Sequence, residues 1–152
     1  MTLLSRSDWQ WQYFLTAHEA DVLAGLLKRF PFTELAPRQI SQIEDDPAMA
    51  EREKLLNESL AEHRKELARV ALTLLGKDTW KKSGHGAFLT LSPHSRDLLL
   101  QILNDIRIGC WRALGEPEDL DKPAKKTSAK GPGYRHLMDL AGYFEANLLG
   151  EG

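Results

Sequence analysis

Residues 92–115 read SPHSRDLLLQILNDIRIGCWRALG, and this stretch decides the fold. It predicts a helix that begins after Ser92-Pro93 and ends at Gly115, with an apolar surface too wide for a single core-facing stripe. At about 100° per residue, one face carries Leu99, Ile102, Leu103, Ile106 and Cys110. A second face carries Leu100, Asn104, Arg107 and Trp111. The helix is expected either to lie centrally, covered by several others, or to offer its second face to a partner.

Composition places the chain among globular proteins. It has 152 residues, of which 42% are hydrophobic and 28% charged, and a net charge of -2. We therefore expect one domain over residues 1–152, no nucleic-acid partner and no membrane partner. Neither a signal peptide nor a transmembrane run is recognised, so the expected location is cytoplasmic. The single cysteine, Cys110, is expected to be buried.

Two short segments have the alternation of β-strands. Aromatic residues recur at nearly every second position over residues 9–15, and residues 87–91 form a second short apolar run before the Ser92-Pro93 helix start. We expect the two strands to pair, because an isolated strand leaves its backbone groups without partners. Between them, Thr16-Ala-His-Glu19 matches a capping box, which predicts a helix from there to about Phe30.

A second and a fourth helix complete the predicted fold. Asp46-Pro47 is a helix start, and the helix is expected to run to Leu75. Its predicted core-facing stripe consists of Met49, Leu56, Leu60, Leu67, Val70 and Leu74. Residues 115–133 are expected to form a mobile loop and residues 134–149 the last helix. The predicted fold class is mainly α, a bundle of about four main helices with a small two-stranded β ribbon.

The sequence carries no recognised catalytic motif, metal-ligand spacing or cofactor-binding pattern. The most suggestive titratable group is His63, which lies within the apolar stripe of the second helix with Glu66 one turn later. This pair could serve as the polar part of a ligand site. The favoured alternative is a neutral core histidine held by a nearby side chain.

Two further groups have alternative interpretations. Three lysines in residues 122–130 could contact an anionic surface, but the segment contains no aromatic residue for base stacking, so a solvated loop is favoured. Asn104, Arg107, Leu100 and Trp111 have the composition of a protein-binding surface, since Arg and Trp are enriched at interaction hot spots. The favoured alternative for Arg107 is an ion pair with a carboxylate of another helix.

The order of these motifs resembles a known family. The aromatic strand, the Thr16-to-Glu19 capped helix, the Asp45-Asp46-Pro47 helix entry and the Leu103–Arg107 stretch followed by Leu114-Gly115 resemble an uncharacterised bacterial helical family, known only as a domain of unknown function. The resemblance covers about residues 9–149, and residues 122–130 depart from it. Genes of this family often lie beside that of the Clp protease adaptor. The resemblance therefore implies an association with regulated proteolysis and implies no catalytic residue.

The sequence thus favours a nonenzymatic protein-binding or regulatory module that uses the second face of the 92–115 helix. One alternative is an enzyme or small-ligand binder whose site lies between helices and uses His63, Glu66 or Arg107. The other is a self-associating structural protein in which that face meets its own copy around a twofold axis.

Overall fold

A computed structural model describes residues 1–32, 46–118 and 131–150. The elements within these residues are, in chain order, β1 (Thr2–Arg6), β2 (Trp11–Thr16), α1 (Ala17–Arg29), α2 (Pro47–Thr73), β3 (Trp80–Ser83), β4 (Gly86–Leu91), α3 (Pro93–Ala113) and α4 (Gly131–Leu149). The predicted helix starts at Thr16, Asp46 and Ser92 are confirmed, because each of these side chains accepts a hydrogen bond from a backbone amide of the first helical turn. The last helix begins at Gly131 rather than at Tyr134.

The predicted two-stranded ribbon is wrong. The described chain contains a four-stranded antiparallel sheet in the order β1-β2-β4-β3, so the fold is mixed α/β, although mainly helical. The predicted pairing of the two aromatic or apolar strands is confirmed, with Tyr13 opposite Leu89 in the centre of the sheet. The prediction missed β1 and β3, which add one strand to each side of this pair.

The missed strands lie at the two edges of the sheet. Every residue of β1 is exposed, and β3 has the sequence Trp80-Lys-Lys-Ser83 with only its Trp partly buried. An edge strand needs no apolar alternation, since it is held by backbone hydrogen bonds to its inner neighbour. The edge strands therefore pair because β2 and β4 would otherwise leave backbone groups without hydrogen bonds. Hydrophobic periodicity does not reveal this pairing.

The core lies between one face of the sheet and the helices. Tyr13 and Leu15 of β2 and Leu89 and Leu91 of β4 are at most 1% exposed on this face. Helix α3 packs along α4 and also contacts β4 and α2. It buries Leu99, Ile102, Leu103, Ile106 and Cys110, so the predicted burial of the thiol is confirmed. The second face of α3 stays at the surface, because Asn104, Arg107 and Trp111 are exposed, so its role in partner binding stays a prediction.

Arg96 of α3 helps to join the sheet to the last helix. Its guanidinium carbon lies 4.3 Å from the centre of the Trp11 ring, and that of Arg6 lies 4.2 Å from the same ring. Arg96 also donates a hydrogen bond to the carbonyl oxygen of Leu148 in α4. Cation–π contacts of this kind favour a fixed orientation of the indole. The start of α3, strand β2 and the end of α4 are thereby held together.

Helix α2 departs most from the sequence prediction. Its stripe was expected to face the core throughout, yet no residue before Leu67 is buried. Leu67, Ala71 and the capping residue Leu74 are buried, whereas Met49, Leu56 and Leu60 are exposed. We call residues 47–63 the exposed segment of α2 and residues 64–73 its docked segment.

Several predicted features lie outside the described residues. Most of the predicted 115–133 loop is among them, including the lysine-containing stretch 122–130. Glu116, which is described, has a positive φ of 55° directly after Gly115, where the chain leaves α3. In the parts of the chain that the structure describes, no helix combines the length and apolar character needed to cross a bilayer.

Candidate functional site

Arg107, on the second face of α3, has a partner within the chain. Its Nη1 lies 3.2 Å from Oε1 of Glu145 in α4, and its side chain is 43% exposed. The Nε of Arg107 would lie 3.6 Å from a Cβ atom added at Gly142, so the side chain extends across α4 at a glycine. The ion pair expected as the alternative for Arg107 is therefore present, at the surface of the α3–α4 contact.

The other predicted partner-binding residues differ in accessibility. The indole Nε1 of Trp111 donates a hydrogen bond of 3.1 Å to the carbonyl oxygen of Pro117, and 36% of this residue remains exposed. Leu100 is partly buried against the core, and Asn104 is exposed. All four residues lie on α3, but Arg107 and Trp111 make polar contacts within the chain. Their role in partner binding stays a prediction.

His63 is exposed, so the prediction of a buried core histidine is wrong. Glu66 is also exposed and forms an ion pair with Arg69 one turn later. Both side chains lie on α2 close to where it meets the rest of the protein. Neither side chain is enclosed between helices, whereas a small-molecule site needs a concave surface.

The exposed segment of α2 presents the most extensive apolar surface among the described helices. Met49, Leu56 and Leu60 retain exposures of 49%, 59% and 44%. At 100° per residue, Met49 and Leu56 point within about 20° of the direction of Leu67, which is 3% exposed. One face of a single helix is therefore buried over the docked segment and open to solvent over the exposed segment.

The two segments meet at an ion pair. Arg64 Nη2 lies 3.2 Å from Oδ1 of Asp105 in α3, and the side chains are 18% and 31% exposed. This contact joins α2 to α3 just before Leu67 enters the core. At the other end of the exposed segment, Oδ1 of Asp46 accepts a hydrogen bond of 3.0 Å from the amide of Ala48. The exposed segment is thus capped at one end and anchored at the other.

Two open cavities lie away from α2. One of about 370 Å³ occupies the open face of the sheet beside Phe88, with Lys77, Lys81 and Lys82 in its wall. One of about 400 Å³ lies at the start of α3 and has two arginines and two aspartates in its wall. Within the described ranges, no group of three or more His, Cys, Asp or Glu side chains is arranged to hold a metal ion.

An electrostatic cluster joins the start of the chain to α1 and α4. The Glu19 carboxylate accepts hydrogen bonds from the amino group of Met1, from the Tyr143 hydroxyl and from the Thr16 amide. Burial opposes ionisation of this carboxyl, but these donors outweigh it and lower its pKa to about 2. The hydrogen bond to Glu19 and burial raise the pKa of Tyr143. This cluster stabilises the fold at the capping box of α1.

Comparisons with known families, characterised proteins and solved structures give no match to this chain. The site must therefore be interpreted from its own geometry. Sequence reasoning placed Met49, Leu56 and Leu60 in the core, because their spacing is that of a buried stripe. The signal that distinguishes the exposed segment is the presence of Glu53 and His63 within the same stripe, since charged or titratable groups are seldom buried without partners.

Proposed function

We propose that this protein is a nonenzymatic protein-interaction module and that the exposed segment of α2 is its binding element. The observation that carries the proposal is the apolar stripe of Met49, Leu56 and Leu60, which continues the docked face and stays open. A partner that covered this stripe would remove about half of each side chain from water. Burial of that area favours association at about 25 cal/mol per Å² before the ordering costs are subtracted.

The form of the segment supports recognition by another helix. Amphipathic helices bind helical partners through anchors spaced by three, four or seven residues, and Met49, Leu56 and Leu60 are seven and four residues apart. An isolated helix of this length is marginal in water, so attachment to the docked segment supplies much of its order. The surrounding charges have both signs, which favours a protein partner over a polyanion.

This proposal moves the binding element from α3 to α2. On the second face of α3, Arg107 and Trp111 are exposed but make polar contacts within the chain, and Leu100 is partly buried, whereas the α2 stripe consists of exposed apolar side chains. A cytoplasmic location and a link to regulated proteolysis stay predictions of the sequence and of the family resemblance. The enzyme alternative has no support from His63 and Glu66, which lie on an open helix surface.

A binding experiment with matched variants tests the proposal. The full-length chain carrying Leu56→Ser and Leu60→Ser is compared with wild type and with Leu55→Ser, which removes an equally exposed leucine that points about 100° away from Leu56. The readouts are complex formation, with self or with another protein, and hydrogen exchange of residues 49–63 within the complex. We expect the double variant alone to lose binding, and we expect wild-type complexes to protect this segment. Binding that survives the double substitution would refute the proposal.

A further inference from the structure

We propose that the exposed segment of α2 pairs with the same segment of a second copy of this chain, antiparallel and around a twofold axis. The inference rests on the proposed function and names its partner. The stripe positions from the start of α2 to its end are separated alternately by four and three residues: Met49, Glu53, Leu56, Leu60, His63, Leu67, Val70 and Leu74. This 3.5-residue average is the repeat of a coiled-coil seam. The last part of the seam is already in use, because Leu67 and Leu74 are buried in the core.

The position of the docked segment and the charge of Glu53 both oppose a parallel pair. In a parallel pair each residue lies opposite its own copy, so both docked segments would come to the same end. Each chain's own core encloses Leu67 and Ala71, so the two globular parts would meet at that end. Parallel pairing would also place Glu53 opposite Glu53, and like charges in a seam oppose association. An antiparallel pair puts the two globular parts at opposite ends.

The antiparallel arrangement also sets complementary polar groups against each other. Centred near residue 58, it sets Leu56 against Leu60 of the second copy and Glu53 against His63 of the second copy. The seam ends at these pairs, because the next position would set Met49 against Leu67, which is enclosed by its own core. On one flank of the seam, Arg52 then approaches Glu66 of the second copy, since antiparallel coiled coils bring equivalent flanking positions together. Because the axis is twofold, each contact occurs twice. The order Arg52, Glu53, Leu56, Leu60, His63, Glu66 is thus complementary to its own reversal.

The side chains that this pairing needs are accessible. Arg52, His63 and Glu66 are exposed, and Leu56 and Leu60 retain 59% and 44% of their surface. The seam over residues 53–63 extends over about 17 Å at 1.5 Å per residue. About one and a half heptads form a short seam, so dimer formation is expected to depend on protein concentration.

Sedimentation equilibrium of the purified full-length chain, from about 1 µM to about 1 mM, tests the inference. We expect a reversible shift from the monomer mass of 17.2 kDa to twice that mass. Leu56→Ser with Leu60→Ser removes four apolar side chains from the dimer and should raise its dissociation constant by at least about 100-fold. Leu55→Ser, whose side chain points away from the seam, should change it by less than about threefold.

Charge reversal tests the orientation. Arg52→Glu sets like charges against Glu66 of the second copy and should weaken the dimer at low salt by about threefold to tenfold. Adding Glu66→Arg to the same chain should restore the affinity. Circular dichroism of each variant checks that the helical content is unchanged. No restoration would overturn the antiparallel arrangement, because only that arrangement brings the two positions together.

The outcomes separate this inference from the proposed function. A chain that stays monomeric throughout, or a dimer unaffected by the two leucine substitutions, overturns the inference. If the monomeric chain nevertheless binds a different protein, and Leu56→Ser with Leu60→Ser abolishes that binding while Leu55→Ser does not, the interaction function stands with another partner. If no protein covers the stripe, both proposals fail.

Discussion

The two segments of α2 have the same kind of sequence and opposite environments. In the docked segment, Leu67 and Ala71 are 3% and 0% exposed, whereas Leu56 and Leu60, on the same face of the same helix, are about half exposed. The difference does not come from helix propensity, which is similar in both. It comes from the core, which encloses Leu67 and Ala71 and leaves Leu56 and Leu60 open. A periodic apolar stripe therefore identifies a surface that will be covered, and leaves open whether the cover belongs to the same chain.

The largest expected effect is on the free energy of unfolding, when leucine is replaced by alanine in each segment separately. Leu67→Ala should lower the free energy of unfolding by about 2–5 kcal/mol, because it leaves a cavity in a close-packed core. Leu60→Ala, seven residues earlier on the same face, should change it by less than about 0.5 kcal/mol. Urea unfolding at protein concentrations that keep the chain monomeric measures both. Equal losses would show that the exposed segment is packed in the monomer.

Acid should act on the globular part rather than on the exposed segment. The pKa of Glu19 is lowered to about 2 in the folded chain, below the ordinary value of 4.5, so its contribution to stability is present above pH 4.5 and lost as the pH falls towards 2. Glu19→Gln should remove this dependence, on the order of 1 kcal/mol after solvent screening. Thermal unfolding across this pH range is the measurement. The control is Glu58→Gln in the exposed segment, and a flattened profile in that variant instead would contradict the assignment.

Equivalent helix caps should have different consequences in the two environments. Asp46→Ala removes the cap of the exposed segment, and Thr16→Ala removes that of α1, each at a local cost of about 1 kcal/mol. The loss at Thr16 should appear in global unfolding, since α1 is part of the core. The loss at Asp46 should appear as faster amide exchange in the first turns of α2, with little change in the unfolding midpoint. A large midpoint change for Asp46→Ala would mean that the exposed segment folds cooperatively with the core.

The smallest effect is expected at the boundary between the segments. Asp105→Asn removes the charge that pairs with Arg64, and partly exposed ion pairs contribute about 0.5 kcal/mol. Amide exchange around Arg64 should accelerate as the anchoring contact weakens. Glu62→Gln is the matched control, because its 4.0 Å pair with Lys65 lies within α2 and both side chains are more than 70% exposed. Equal exchange in the two variants would show that the Arg64 contact does not anchor the helix.

The helices, and the starts of α1, α2 and α3, were predictable, because caps and periodicity are local. Thr16 and Glu19 form the predicted capping box, and Ser92 caps the predicted α3. The edge strands were not predictable in this way. Leu3 and Leu4 of β1 are about half exposed, so they carry no alternation that would reveal their pairing. An ion pair of Arg107 with a carboxylate of another helix was expected. Its partner Glu145 lies 38 positions further along the chain, so only the packing of α3 on α4 identifies it.

The sequence by itself determined where α1, α2 and α3 begin, that β2 and β4 pair, and which face of each helix is apolar. These properties depend on hydrogen-bond capping and side-chain spacing over a few residues. Only the tertiary structure decided that α3 packs along α4, that the sheet has four strands, and that α2 leaves the core at Arg64. Burial depends on which distant elements arrive at a surface, and the periodicity of one helix does not contain that information.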